Sequence, residues 1–162
     1  MYLKRKLSND LTLYKGLRYG YKTIQKSTFK HKVVIGVGGN IGDVKRRFEH
    51  LFYFFKKSNK VEVLQTSSIL KNPPFGFLEQ DDFFNALIVL KTNMLPMQVL
   101  KYLQRIEKIF KRKRSFDNAP RSLDLDIIFY DSIVINKEKL SIPHSEWNKR
   151  QSVLIPLMEI YR

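Results

Sequence analysis

The chain has 162 residues and a mass of 19.3 kDa, with 43% hydrophobic residues and no cysteine. That size fits one compact domain with room for a tail. The absence of cysteine excludes disulfides, thiolate zinc sites and a cysteine nucleophile. No run approaches the ~18 apolar residues of a membrane span, and the basic start has no apolar stretch behind it that would make a secretory signal. A cytoplasmic monomer with no membrane partner is therefore the expectation. Thirty Lys+Arg against fifteen Asp+Glu give a net charge of +15. A polyanionic or phosphorylated partner suits that excess.

Residues 1–32 hold nine Lys/Arg and a single acid, Asp10. Apolar residues there are repeatedly interrupted by Lys, Gly and Ser, which predicts a poorly ordered basic extension with room for a short helix over 7–17. Residues 33–38 form a β-branched run ended by glycine, read as a buried strand. After the turn at 38–43, Val44, Phe48, Leu51, Phe52 and Phe55 share one face of a helix. Residues 61–71 read as a second strand. Asn72-Pro73-Pro74-Phe75-Gly76 stops it, because proline lacks an N–H and restricts the residue before it. Residues 83–92 read as a third strand. Pro96 opens a helix with Leu100, Leu103, Ile106 and Phe110 inward, running to about Lys113. A charged loop reaches Pro120, and residues 123–130 form a fourth strand. A small hairpin pairs 133–135 with 140–142, a short helix follows Pro143, and 153–160 close the chain. The order β-α-β-β-α-β predicts an α+β, ferredoxin-like antiparallel sheet with both helices on one face and the other face open to loops or ligand.

Five groups of residues carry candidate chemistry. Alternation along the fourth strand sends Asp124 and Asp126 to one face and Leu123, Leu125 and Ile127 to the other. Two carboxylates ~6.5–7 Å apart repel each other, and Mg²⁺ with phosphate oxygens would relieve them. Spacing alone equally allows an exposed strand face paired with lysines. Lys111, Arg112, Lys113, Arg114 and Arg121 bracket the preceding loop, as a polyphosphate–metal substrate would need; a solvated helix C-terminus also favours such charge. Gly38-Gly39-Asn40-Ile41-Gly42-Asp43 matches neither a P-loop nor a dinucleotide fingerprint and reads as a tight strand-to-helix turn. Asn72 to Phe77 with Phe83 and Asn85 offer aromatic faces and amides to a planar heterocycle, whereas Phe84 reads as core. His144 with Arg150 fits a phosphate better than zinc, since no second His or Cys is near.

Seven segments recur in the order and spacing of one enzyme family: Gly38-Gly39-Asn40-Ile41-Gly42-Asp43, Lys71-Asn72-Pro73-Pro74, Phe84-Asn85-Ala86, Gln104-Arg105-Ile106-Glu107, Pro120-Arg121-Ser122-Leu123-Asp124-Leu125-Asp126-Ile127, Ile142-Pro143-His144 and Pro156-Leu157-Met158-Glu159-Ile160. Over residues 33–160 the chain closely resembles 6-hydroxymethyl-7,8-dihydropterin pyrophosphokinase of folate biosynthesis. The resemblance implies the ferredoxin-like fold and transfer of pyrophosphate from MgATP to the pterin hydroxymethyl group, releasing AMP. It implies that Asp124 and Asp126 hold two Mg²⁺ ions and that Arg112 and Arg121 bind phosphate. Leu100, Gln104, Glu107, Ile127, Ser141, His144 and Arg150 match the ATP side; Gly38, Asn72, Pro73, Phe75, Phe83 and Asn85 match the pterin pocket. Asp126, near the nucleophile, is also a candidate proton acceptor. The loops 111–120 and 72–80 would close over both substrates and exclude water. The chain departs from the family at Ser152, where the second pterin-stacking aromatic stands, at Asn118, where the loop tryptophan stands, and at Ser145. Trp147 and Phe75 are the candidates to replace the missing ring. The extension 1–32 lies outside the resemblance.

A basic β-α-β-β-α-β chain also fits an RNA-recognition module, and Phe75-Gly76-Phe77 echoes its aromatic motif. Two acids on the last strand argue against that, so no nucleic acid is expected as a required partner.

Overall fold

The computed structural model describes residues 1–112 and 116–162; Lys113, Arg114 and Ser115 of the predicted basic loop lie outside the described residues. The fold is α+β. A mostly antiparallel sheet combines β1 (Leu3–Lys6), β2 (Thr12–Lys15), β3 (His31–Gly39), β4 (Val61–Thr66), β5 (Ile69–Asn72), β6 (Phe83–Thr92) and β7 (Asp124–Tyr130). Its order is β1-β2-β5-β6-β3-β7, with β4 also paired to β6. A separate hairpin joins β8 (Ile135–Lys137) to β9 (Leu140–Ile142). The described helices are α1 (Val44–Lys57), α2 (Pro96–Ile109) and α3 (Gln151–Ile160). No helix among the described residues is long and apolar enough to cross a membrane.

Strand alternation divides the sheet into two apolar faces. Val33, Ile35 and Val37 of β3, Ala86, Ile88 and Leu90 of β6, and Leu123, Leu125 and Ile127 pack with the predicted α1 stripe and with Val99, Leu103 and Ile106 of α2. Asp43 caps α1 by accepting from the Arg46 N–H at 3.1 Å. The opposite face is only partly open: Val34, Leu87, Val89 and Ile128 pack with Val153 and Ile160 of α3. The sheet is therefore covered by helix on both sides at one end, and the cleft is confined to the other.

Three expectations are corrected. The second strand is two strands, because Ser67 and Ser68 turn inward and are buried. Ser67 Oγ accepts the Leu87 N–H at 2.8 Å, and Ser68 donates its N–H and Oγ–H to Glu159 of α3 at 2.9 and 2.6 Å. The second helix ends at Ile109 rather than near Lys113, with Lys111 already at φ 62°. Inside it, Val99 joins Leu103 and Ile106 on the buried face, and Leu100 is half-buried, packing against the core as expected while also lining the cleft. In place of the short helix expected after Pro143, residues 145–149 form turns ahead of α3.

The largest correction concerns residues 1–32. In place of a poorly ordered tail with a short helix, β1 and β2 form a hairpin whose inner strand pairs with β5: Thr12 faces Lys71, Leu13 faces Leu70 and Tyr14 faces Ile69. The chain then runs beside β4, where Thr66 Oγ accepts the Gly20 and Tyr21 N–H groups and donates to Arg18 O. Thr23 N–H donates to Leu64 O at 2.9 Å. Tyr19 is fully buried, its ring 5.6 Å from that of Phe48 and its hydroxyl donating to Phe48 O at 2.8 Å. The segment seals what would otherwise be the free edge of β4 and β5.

Candidate active site

At the open end of the sheet, β3 runs between β6 and β7 and contributes glycine where its neighbours contribute function. Gly38 pairs with Asn85 on one side and Asp124 on the other, and Gly36 pairs with Asp126. A Cβ on Gly38 would lie 2.8 Å from Asn85 Oδ1, so the Asn85 amide lies across the strand only because that position has no side chain. Asn85 Nδ2 donates to Asn72 Oδ1 at 2.7 Å, which ties the end of β5 to β6.

Two adjoining cavities open here. One, of about 650 Å³, is bounded by Leu100, Gln104 and Glu107 of α2, by Asp124 and Asp126, and by Arg112, Arg121, Lys139 and Arg150. The other, of about 480 Å³, is bounded by Gly38, Asn72, Pro73, Phe75, Phe83, Asn85 and Ser152. Asn118, Arg121, Asp124 and Arg150 belong to both walls. Predicted nucleotide and pterin residues thus gather in neighbouring spaces that meet at the predicted metal ligands. Ile127 and Ser141 stand apart. The Ile127 side chain is buried in the core, and Ser141 on β9 lines neither cavity. His144 lines a small space behind Asp126, with Nε2 4.0 Å from Asp126 Oδ2.

The electrostatics differ between the two aspartates. Asp124 accepts from Arg112 Nη1 at 2.7 Å and from Arg121 Nη1 at 3.1 Å. Arg112 also pairs with the buried Glu107, which accepts the Leu125 N–H. Asp126 keeps 44% of its side-chain surface exposed. Removal of water by the surrounding walls, reinforced by the Asp124 and Glu107 carboxylates, pushes its pKa up to about 7. Burial and then Arg150 hold His144 below its usual range, leaving it neutral near pH 7. A carboxylate strained by like charge and open to a cavity fits a hard cation. No group of three His, Cys, Asp or Glu suited to a metal occurs among the described residues. Two strand carboxylates, with phosphate and water completing the shell, are the arrangement Mg²⁺ accepts.

The loops 73–82 and 116–120 meet over the cavities. Gln80 Nε2 donates to Asn118 O at 2.8 Å, and the Phe77 and Phe116 rings meet edge to face at 5.3 Å. Asn40 braces them from below, donating to Gln80 Oε1 and Asp81 O and accepting the Arg121 N–H. In the sequence Asn40 reads only as part of a tight turn. Lys139, Lys149 and Gln151 are further cavity walls with no local signal, since the β8–β9 turn and the approach to α3 arrive there only through tertiary packing. Of the two candidates for the missing ring, Trp147 packs edge-on against Phe129 at 5.1 Å on the α3 side. Phe75 lines the second cavity, is 64% exposed, and lies 5.0 Å from the Arg150 guanidinium.

The family model described as 7,8-dihydro-6-hydroxymethylpterin-pyrophosphokinase matches residues 34–162. The chain is 42% identical over 130 residues to the 2-amino-4-hydroxy-6-hydroxymethyldihydropteridine pyrophosphokinase of Campylobacter jejuni, covering 80% of this chain and 83% of that protein. It is 38% identical over 131 residues to the Helicobacter pylori protein of the same name, covering 80% of each. The Aquifex aeolicus counterpart is 33% identical over 129 residues, 79% of each chain. With its paired aspartates, arginines and amide-lined pocket standing where that match runs, the chain belongs to the 7,8-dihydro-6-hydroxymethylpterin-pyrophosphokinase family.

Proposed function

We infer that the chain transfers the pyrophosphoryl group of MgATP to 6-hydroxymethyl-7,8-dihydropterin in folate biosynthesis. The observation that carries this reading is the shared wall: Arg121, Asp124 and Arg150 border both a charged cavity and an amide- and aromatic-lined one. A donor and an acceptor substrate can meet there without crossing protein. The order β3-α1-β4/β5-β6-α2-β7 supports a ferredoxin-like arrangement of residues 33–162.

The nucleotide takes the larger cavity, with Leu100, Gln104 and Glu107 on one side and Arg112, Arg121, His144 and Arg150 toward its phosphates. Ile127 and Ser141 can contribute only through positions beside it. The pterin takes the smaller cavity, with Phe83 beneath its ring, Asn72 and Asn85 at its polar edge, and Gly38 and Pro73 bounding it. Phe75 supplies the second ring where the family's aromatic is Ser152. Asp124 and Asp126 would hold the two expected Mg²⁺ ions, which when bound would supply positive charge to offset that of the nucleotide's phosphates. Arg112 and Arg121, each hydrogen-bonded to Asp124, are the guanidinium groups that bind the phosphates. The hydroxymethyl O–H gives its proton to Asp126, its oxygen bonds to the β-phosphorus, the bond from that phosphorus to the α–β bridging oxygen breaks, and AMP leaves. The touching loops exclude water that would otherwise take the same phosphorus.

Incubation with MgATP and the hydroxymethyl-dihydropterin is expected to yield AMP. ADP, or no turnover, would overturn the reading. Gly38→Ala gives a finer check. Its Cβ displaces the Asn85 amide, so the pterin KM should rise about tenfold while the KM for MgATP moves less than about twofold.

A further inference from the structure

We propose that the N-terminal hairpin is a positioning element for the pterin cavity, acting through Tyr14 and the pairing of β2 with β5. This rests on the pterin reading above for its substrate, though not for its geometry. The segment lies outside the stretch the family model matches.

β5 has four residues and runs straight into the loop that carries Pro73 and Phe75. One side of β5 is held by β6, where Asn72 faces Phe83 and Leu70 faces Asn85. Its other side is held by β2, whose pairing extends to Lys71, one residue short of Asn72. A four-residue strand at a free edge would open readily, and each opening would release Asn72 from Asn85.

Tyr14 adds a second constraint from the opposite face. Its ring lies 6.1 Å from that of Phe84. The Lys45 ammonium of α1 sits 4.2 Å from the Tyr14 ring and 5.9 Å from Phe84. Phe84 is the residue between Phe83 and Asn85, so clamping its ring on the helix side fixes how its two neighbours present themselves to the cavity. The Tyr14 ring, rather than its hydroxyl, makes these contacts.

The test compares full-length wild type, Tyr14→Ala and Tyr14→Phe in steady-state AMP formation. Tyr14→Ala should raise the pterin KM about tenfold while kcat and the MgATP KM stay within about twofold, and Tyr14→Phe should match wild type. An unchanged pterin KM, or equal rises in both KM values, would overturn the proposal, because a purely structural residue has no reason to single out one substrate. Should Tyr14→Ala not fold, Thr12→Pro, opposite Lys71, must give the same pterin-only rise, and its absence overturns the proposal equally. A wild type that forms no AMP would count against the enzymatic reading alone. Amide exchange then decides on the hairpin: faster exchange over residues 69–75 in Tyr14→Ala supports it, and unchanged exchange there overturns it.

Discussion

Asp124→Asn and Asp126→Asn are each expected to lower AMP formation at least about a thousandfold, with the circular dichroism of the fold retained, and chelation of divalent cations should abolish turnover of the wild type. Their stabilities should move in opposite directions. Asp124 accepts from two guanidinium groups, so the amide takes a carboxylate partner from Arg121 and leaves Arg112 with Glu107 as its remaining one, and the variant is destabilised. Asp126 holds its proton more tightly folded, at about 7, than its ordinary value of 3.8. The folded chain therefore loses stability as pH rises from about 4 to 7. Asparagine is spared that loss, so Asp126→Asn should be more stable than wild type at pH 8 by about 1–2 kcal/mol, after allowance for the open side of the carboxylate. Urea denaturation at pH 8 checks the sign. A variant that is more stable yet inactive is what a site kept for function predicts; retained turnover in either variant would remove the metal-ligand role.

Tyr19→Ala should cost about 3–5 kcal/mol of stability, as truncation of a buried aromatic does. The residue lies within a segment whose composition reads as a solvated tail. It is fully buried, packs against Phe48 and donates to that residue's carbonyl. Tyr19→Phe keeps the ring but leaves Phe48 O without that donor, and should cost only about 1 kcal/mol. Chemical denaturation of the two variants separates packing from hydrogen bonding. A loss under about 1 kcal/mol for Tyr19→Ala would mean that the segment contributes little to the folded state.

The contrast between these two predictions marks what can be read in the sequence. Asp124 and Asp126 were legible because alternation on a strand is local: Leu123, Leu125 and Ile127 declare one face apolar, and the acids must take the other. The α1 stripe was legible for the same reason at a different period. The hairpin was not. Leu3–Lys6 and Thr12–Lys15 are four-residue strands with no sustained alternation, and what anchors their hairpin is the pairing of β2 with β5, more than fifty residues away in the chain. The break at Ser67 and Ser68 was hidden likewise, since its cause is the Glu159 carboxylate on α3. Lys139 reaches the larger cavity through the fold of the β8–β9 turn, a placement no local pattern encodes.

The outermost strand of the sheet, Leu3–Lys6, is exposed along its whole length and reads Leu-Lys-Arg-Lys. Two molecules approaching rim to rim would bring six cations together within a few ångströms before any ladder could zip. Crowded solutions of the chain are thereby guarded against fibrous stacking by a Coulombic bumper. That bumper softens once added electrolyte shortens the Debye length to about 3 Å, near 1 M.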